Sequence, residues 1–154
     1  MKRSIIIIAI ILGVGINNCK NENNPNPQTE KPNKSLISIV EIPTTNFLRA
    51  VTFYQTVLGV KIEEVDMEGT QMGIFPSSGD TVSVVLVNGN DYTPTKNGTV
   101  VYLNAGNDLQ PTLNKVEKNG GKIILPKTKI SPEMGFFALF IDTEGNKLGL
   151  HSKN

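Results

Sequence analysis

EIPTTNFLRAVTFYQTVLGVKIE, residues 41–63, holds the end of a strand, a whole helix and the start of a second strand. Phe47, Ala50, Val51, Tyr54, Val57 and Leu58 recur at helical spacing, so one face of a helix here is apolar and must be buried. The β-branched run LISIVEI (36–42) before it reads as a strand ended by Pro43; Thr44 or Thr45 can cap the helix, and Gly59 stops it. Three further strands are expected in VKIEEVDM (60–67), TQMGIFP (70–76) and TVSVVLV (81–87), set apart by glycine-containing turns. The order is βαβββ.

The same order returns in the second half. TVVYLNA (99–105) reads as a strand, and Leu109, Leu113 and Val116 form a thinner helical stripe that tolerates Pro111 in its first turn and ends at Gly120-Gly121. KIILPKTKI (122–130), GFFALFID (135–142) and KLGLHS (147–152) follow as strands. In both halves a helix runs into Gly-x-Lys-Ile, at Gly59-Val60-Lys61-Ile62 and at Gly120-Gly121-Lys122-Ile123. Neither unit can cover its own sheet, so the two modules, about 36–90 and 98–152, should pack together as one α+β domain. Helices are expected on one sheet face and a concavity on the other.

Composition excludes several function classes. Lys and Arg total 15 against 14 Asp and Glu and are scattered, so there is no basic footprint for nucleic acid. One cysteine and one histidine can build neither an internal disulfide nor a Cys/His zinc cluster, and any metal site would lean on carboxylates.

Residues 1–18 read as a secretory signal: Lys2-Arg3, then an apolar run from Ile5 to Ile16, shorter than the ~20 residues a membrane span needs. Ile16-Asn17-Asn18-Cys19 resembles the lipobox of bacterial lipoproteins, with Asn18 where that motif prefers a small residue. The resemblance implies acylation of Cys19 and an anchor at the bacterial cell envelope, on the periplasmic or outer-surface side. Residues 19–35 are rich in asparagine and proline and lack large apolar side chains, so they read as a disordered tether.

The paired modules, the segment 41–63 and the ending FIDTEGNKLGLHS (140–152) together resemble the vicinal-oxygen-chelate superfamily of glyoxalase, bleomycin-resistance and extradiol-dioxygenase proteins, over residues 36–152. The resemblance implies a curled mixed sheet, an open barrel with helices on its outer face. Metal-dependent members hold a divalent ion with His or Glu from four strand positions. Aligned on this chain, those positions fall at Ile39, at Thr99, at Gly149 and in the strand around 81–90, and none carries a ligand side chain. No cofactor is therefore expected, and a divalent metal is disfavoured.

Strand alternation puts Glu41 on the face of Ile39 and His151 on the face of Gly149. Glu41 and His151 are thus the candidate catalytic residues, a carboxylate that could orient an imidazole. Ile39, Glu41, Thr99, Val101, Gly149 and His151 are the candidate ligand-binding residues. The same alternation predicts Tyr102 facing the helices, opposite Thr99 and Val101. Phe53 and Tyr54 read as packing, Asp142 and Gly145 as turn builders, and Met67, Met72 and Met134 as residues able to line the concavity.

Three functions stay open. One is a metal-independent protein binding a small organic molecule; another is a lyase-, isomerase- or dioxygenase-type enzyme using Glu41 and His151; the third is an interaction module without a ligand. Superfamily members often pair as dimers, so a homodimer is implied by analogy alone.

Overall fold

The computed structural model describes residues 35–79 and 81–154. The signal, Cys19 and most of the tether lie outside the described residues. Ten elements follow in the expected order: β1 (Ile39–Pro43), α1 (Phe47–Leu58), β2 (Glu63–Met67), β3 (Thr70–Ile74), β4 (Ser83–Asn88), β5 (Tyr102–Asn104), α2 (Gln110–Lys118), β6 (Lys122–Ser131), β7 (Gly135–Ile141) and β8 (Lys147–Ser152). The α+β class and the two βαβββ modules stand. The strands form two mixed four-stranded sheets, β1-β4-β3-β2 and β5-β8-β7-β6, rather than one continuous ladder. In each module the first strand runs parallel to the last, and the other pairings are antiparallel.

One core joins the modules on the helix side. The α1 stripe is buried as the spacing requires except at Leu58, which is only partly buried, and Phe53 joins it at 2% exposure because it faces the second module. Its ring meets Phe140 of β7 at 6.3 Å and Tyr54 edge-on at 5.1 Å. A buried aromatic of this size contributes roughly 1.5–3 kcal/mol through burial alone, so α1 is a principal link between the halves. From the strands, Ile42 and Leu86 enter the core in module one, and Leu103, Ala138 and Leu150 in module two.

Boundaries differ from the expectation at polar positions. Asn46, not Thr44 or Thr45, caps α1: its side chain accepts from the Arg49 amide at 3.1 Å. Thr44 is buried and donates through its hydroxyl to the Val87 carbonyl, which spends it on the sheet instead. The first strand begins at Ile39 rather than Leu36, since Leu36 has no sheet partner among the described residues and is 92% exposed.

Candidate functional site

The turn before β8 positions the strand that carries His151. Asp142 accepts at one carboxylate oxygen from the amides of Glu144 (2.9 Å), Gly145 (2.8 Å) and Asn146 (2.8 Å). Gly145 sits at φ 102°, a backbone region that a side chain strains, so Asp142 and Gly145 build the turn as expected. The turn then reaches into the first module. Asp142 takes the Tyr54 hydroxyl at 2.7 Å, and Asn146 donates to the Pro43 carbonyl at 2.8 Å.

Glu144, which drew no notice in the sequence, makes the densest set of contacts. Its carboxylate accepts from the Thr45 and Asn46 amides, the Thr45 hydroxyl and the Arg49 guanidinium, all within 3.1 Å. Burial pushes this carboxyl up, but the Arg49 pair and the Asn46 and Thr45 donors outweigh it and hold it down at about 2. The carboxylate lies at the N-terminus of α1, where free amides and the helix dipole favour negative charge. Nothing in DTEGN alone discloses this, because the partners lie about a hundred positions away. Tyr54 is pushed well above the ordinary tyrosine range by burial, and the neighbouring Asp142 charge acts in the same direction.

With β8 fixed, its alternation sorts the two faces. Leu148 and Leu150 enter the core, while Gly149 and His151 point to the face opposite the helices. Tyr102 pairs with Gly149 in register and shares that face, because its neighbour Leu103 takes the core position. The expectation that Tyr102 faces the helices is therefore corrected. Residues 99–101 precede the regular strand, and Val101 is partly buried against the core at the seam. Counting parity from the buried Leu103 rather than from Thr99 finds the right face.

Tyr102 lies so close over Gly149 that a Cβ there would collide with the aromatic ring. Beside it, Phe137 meets Tyr102 edge-on at 6.1 Å. Tyr102, Ile130, Met134, Phe137 and His151 line an open hollow of about 360 Å³, apolar but for the imidazole and phenol. His151 Nε2 is 2.7 Å from the Met134 carbonyl, so that nitrogen carries the proton and donates.

The other candidates lie elsewhere. Glu41, Thr99 and Val101 line a second hollow of about 330 Å³ at the seam between modules, with Thr95 and Lys147. Glu41 accepts from the Tyr92 hydroxyl at 3.0 Å, and that bond, more than the desolvation accompanying it, raises the Tyr92 phenol from its usual range. Glu41 and His151 are thus engaged separately and do not form the carboxylate–imidazole pair that strand parity suggested. Ile39 is 61% exposed at the start of β1 and lines neither hollow.

The internal repeat gives Gly149 three counterparts. Ile42 pairs with Leu86 as Leu103 pairs with Leu150, which makes Glu41 equivalent to Tyr102, and Val85 equivalent to Gly149. These four supply one carboxylate and one phenol. A hard divalent ion takes about six or more oxygen ligands, and among the described residues no three His, Cys, Asp or Glu side chains gather. The donor set does not fit such an ion.

Residues 36–150 match the Glyoxalase/Bleomycin resistance protein/Dioxygenase superfamily. The chain belongs to that superfamily. It is similar to a glyoxylase-like domain-containing protein of Didymella fabae, 34% identical over 113 residues that span 71% of this chain and 88% of that protein. In structure it is similar to a glyoxalase/bleomycin resistance protein from Albidiferax ferrireducens, with a TM-score of 0.62 at 17% identity, covering 78% of this chain and 100% of that one. It is likewise similar to an antibiotic binding protein from a Streptomyces species, with a TM-score of 0.60 at 22% identity over 78% of this chain and 97% of the other. Glyoxalase I from Zea mays gives 0.54 at 20% identity over 75% of this chain, which spans only 45% of the maize chain. Likenesses this distant establish the superfamily fold, and the site must speak for the function.

Proposed function

We propose that this chain is an exported protein, anchored at the cell envelope through Cys19, that binds a small organic molecule without a metal in the hollow beside Tyr102. The observation carrying the reading is the Tyr102 ring over Gly149. An aromatic side chain fills the space that a chelating carboxylate at 149 would need, and the surface it helps to form is apolar. A hollow of about 360 Å³ lies within the ~300–1,000 Å³ typical of small-molecule sites, and mostly apolar walls with a few polar groups are their usual make-up. The likeness to an antibiotic-binding protein is in keeping with this reading. A glutathione-dependent activity suits it poorly, because export removes the protein from the cytosolic thiol pool.

A thermal-shift survey of antibiotics and aromatic metabolites tests the binding. A ligand that binds only the folded state raises apparent stability, by about 2.7 kcal/mol at a hundredfold excess over Kd. The midpoint of the wild type should rise with at least one compound, and Tyr102→Ala should lose that rise. A flat response across the survey would remove the proposal. For the anchor, Cys19→Ala should move the protein from the membrane fraction to the soluble fraction, and unchanged membrane association would refute acylation.

A further inference from the structure

In the same hollow, we infer that His151 selects ligands that present a hydrogen-bond donor: planar aromatic molecules bearing a hydroxyl or N–H group. This deepens the binding reading above and rests on it. The chemistry follows from one bond. Because His151 Nε2 is 2.7 Å from a backbone carbonyl, which can only accept, the proton of the neutral imidazole resides on Nε2. Nδ1 is then an acceptor. It has no protein partner among the described residues, and none of their buried side-chain nitrogens or oxygens lacks one, so Nδ1 is open on the ring that borders the hollow.

The surrounding walls set the rest of the ligand's character. Tyr102 and Phe137 stand at 61° to each other, and such an aromatic corner receives a flat ring by stacking on one face and meeting the other edge-on. Ile130 and Met134 complete the apolar lining, Met134 with an adaptable side chain. A ligand accepting at this point would set its lone pair against that of Nδ1, whereas a donor satisfies it.

Three probes separate the possibilities: 2-naphthol, 2-methoxynaphthalene and naphthalene, titrated against the full chain at pH 8. One neutral hydrogen bond corresponds to about a two- to tenfold gain in affinity, so 2-naphthol should bind that much more tightly than its methyl ether. His151→Phe should abolish the difference between 2-naphthol and its methyl ether, and its thermal unfolding midpoint, read without ligand, shows separately that the variant folds. The imidazole ¹⁵N signals of the free wild type should show an unprotonated Nδ1 that shifts with 2-naphthol and not with naphthalene. Equal affinity for naphthol and ether, or a proton on Nδ1, would overturn the donor selection while leaving the hollow as a binding site. Failure of all three probes to bind would overturn the binding reading with it.

Discussion

The hydroxyl of Tyr54 donates to the carboxylate of Asp142 at 2.7 Å, joining a helix of the first module to the turn that launches the last strand of the second. Both partners are buried, and the bond crosses 88 positions of sequence. Its removal leaves a buried carboxylate short of one donor, although Asn146 still serves the same oxygen at 2.9 Å.

Tyr54→Phe should therefore cost about 1–3 kcal/mol in denaturant unfolding. It should also change the alkaline limb. A phenol whose pKa is raised on folding contributes stability that is complete below pH ~10 and is lost as pH rises beyond it. The wild type should lose stability in that range more steeply than Tyr54→Phe, as read by unfolding midpoints from pH 8 to 11.

Glu144 governs the acid limb. Its carboxyl falls from 4.5 to about 2 on folding, so its contribution is present above pH ~4.5 and is lost as pH falls from 4.5 toward 2. With screening around the half-exposed Arg49 allowed for, the contribution is on the order of 2 kcal/mol. Glu144→Gln should be less stable than wild type at pH 7 and the two should converge near pH 2. A constant difference across that range would contradict the assignment.

The contact between Tyr102 and Gly149 lends itself to a double-mutant cycle. Gly149→Ala forces the ring aside and should cost about 1–3 kcal/mol, as overpacking does. In the Tyr102→Ala background the same change should cost much less, since the colliding ring is gone. Additive losses would mean that the two residues do not press on each other.

The sequence carried the elements well and the faces less well. Apolar spacing on α1 identified its buried stripe because helix periodicity needs only local information, and the repeated Gly-x-Lys-Ile marked both modules for the same reason. The face of Tyr102 is not legible from alternation, because β5 has only three residues, Tyr102–Asn104, too few to declare which side is inward. The role of Glu144 is not legible in the sequence because its partners Thr45, Asn46 and Arg49 belong to the other module. Glu41 and His151 share faces with the expected neighbours, yet parity along a strand gives no distance between strands. Their separate partners, Tyr92 and the Met134 carbonyl, are tertiary facts.

The central claim is that this site works without a chelated cation. Elemental analysis of the purified chain, dialysed after incubation with nickel, zinc, manganese or iron(II), tests it directly. The account predicts metal well below one equivalent per chain for all four, together with unchanged binding of an organic ligand after chelator treatment. One tightly held equivalent that chelation removes along with ligand binding or turnover would contradict it.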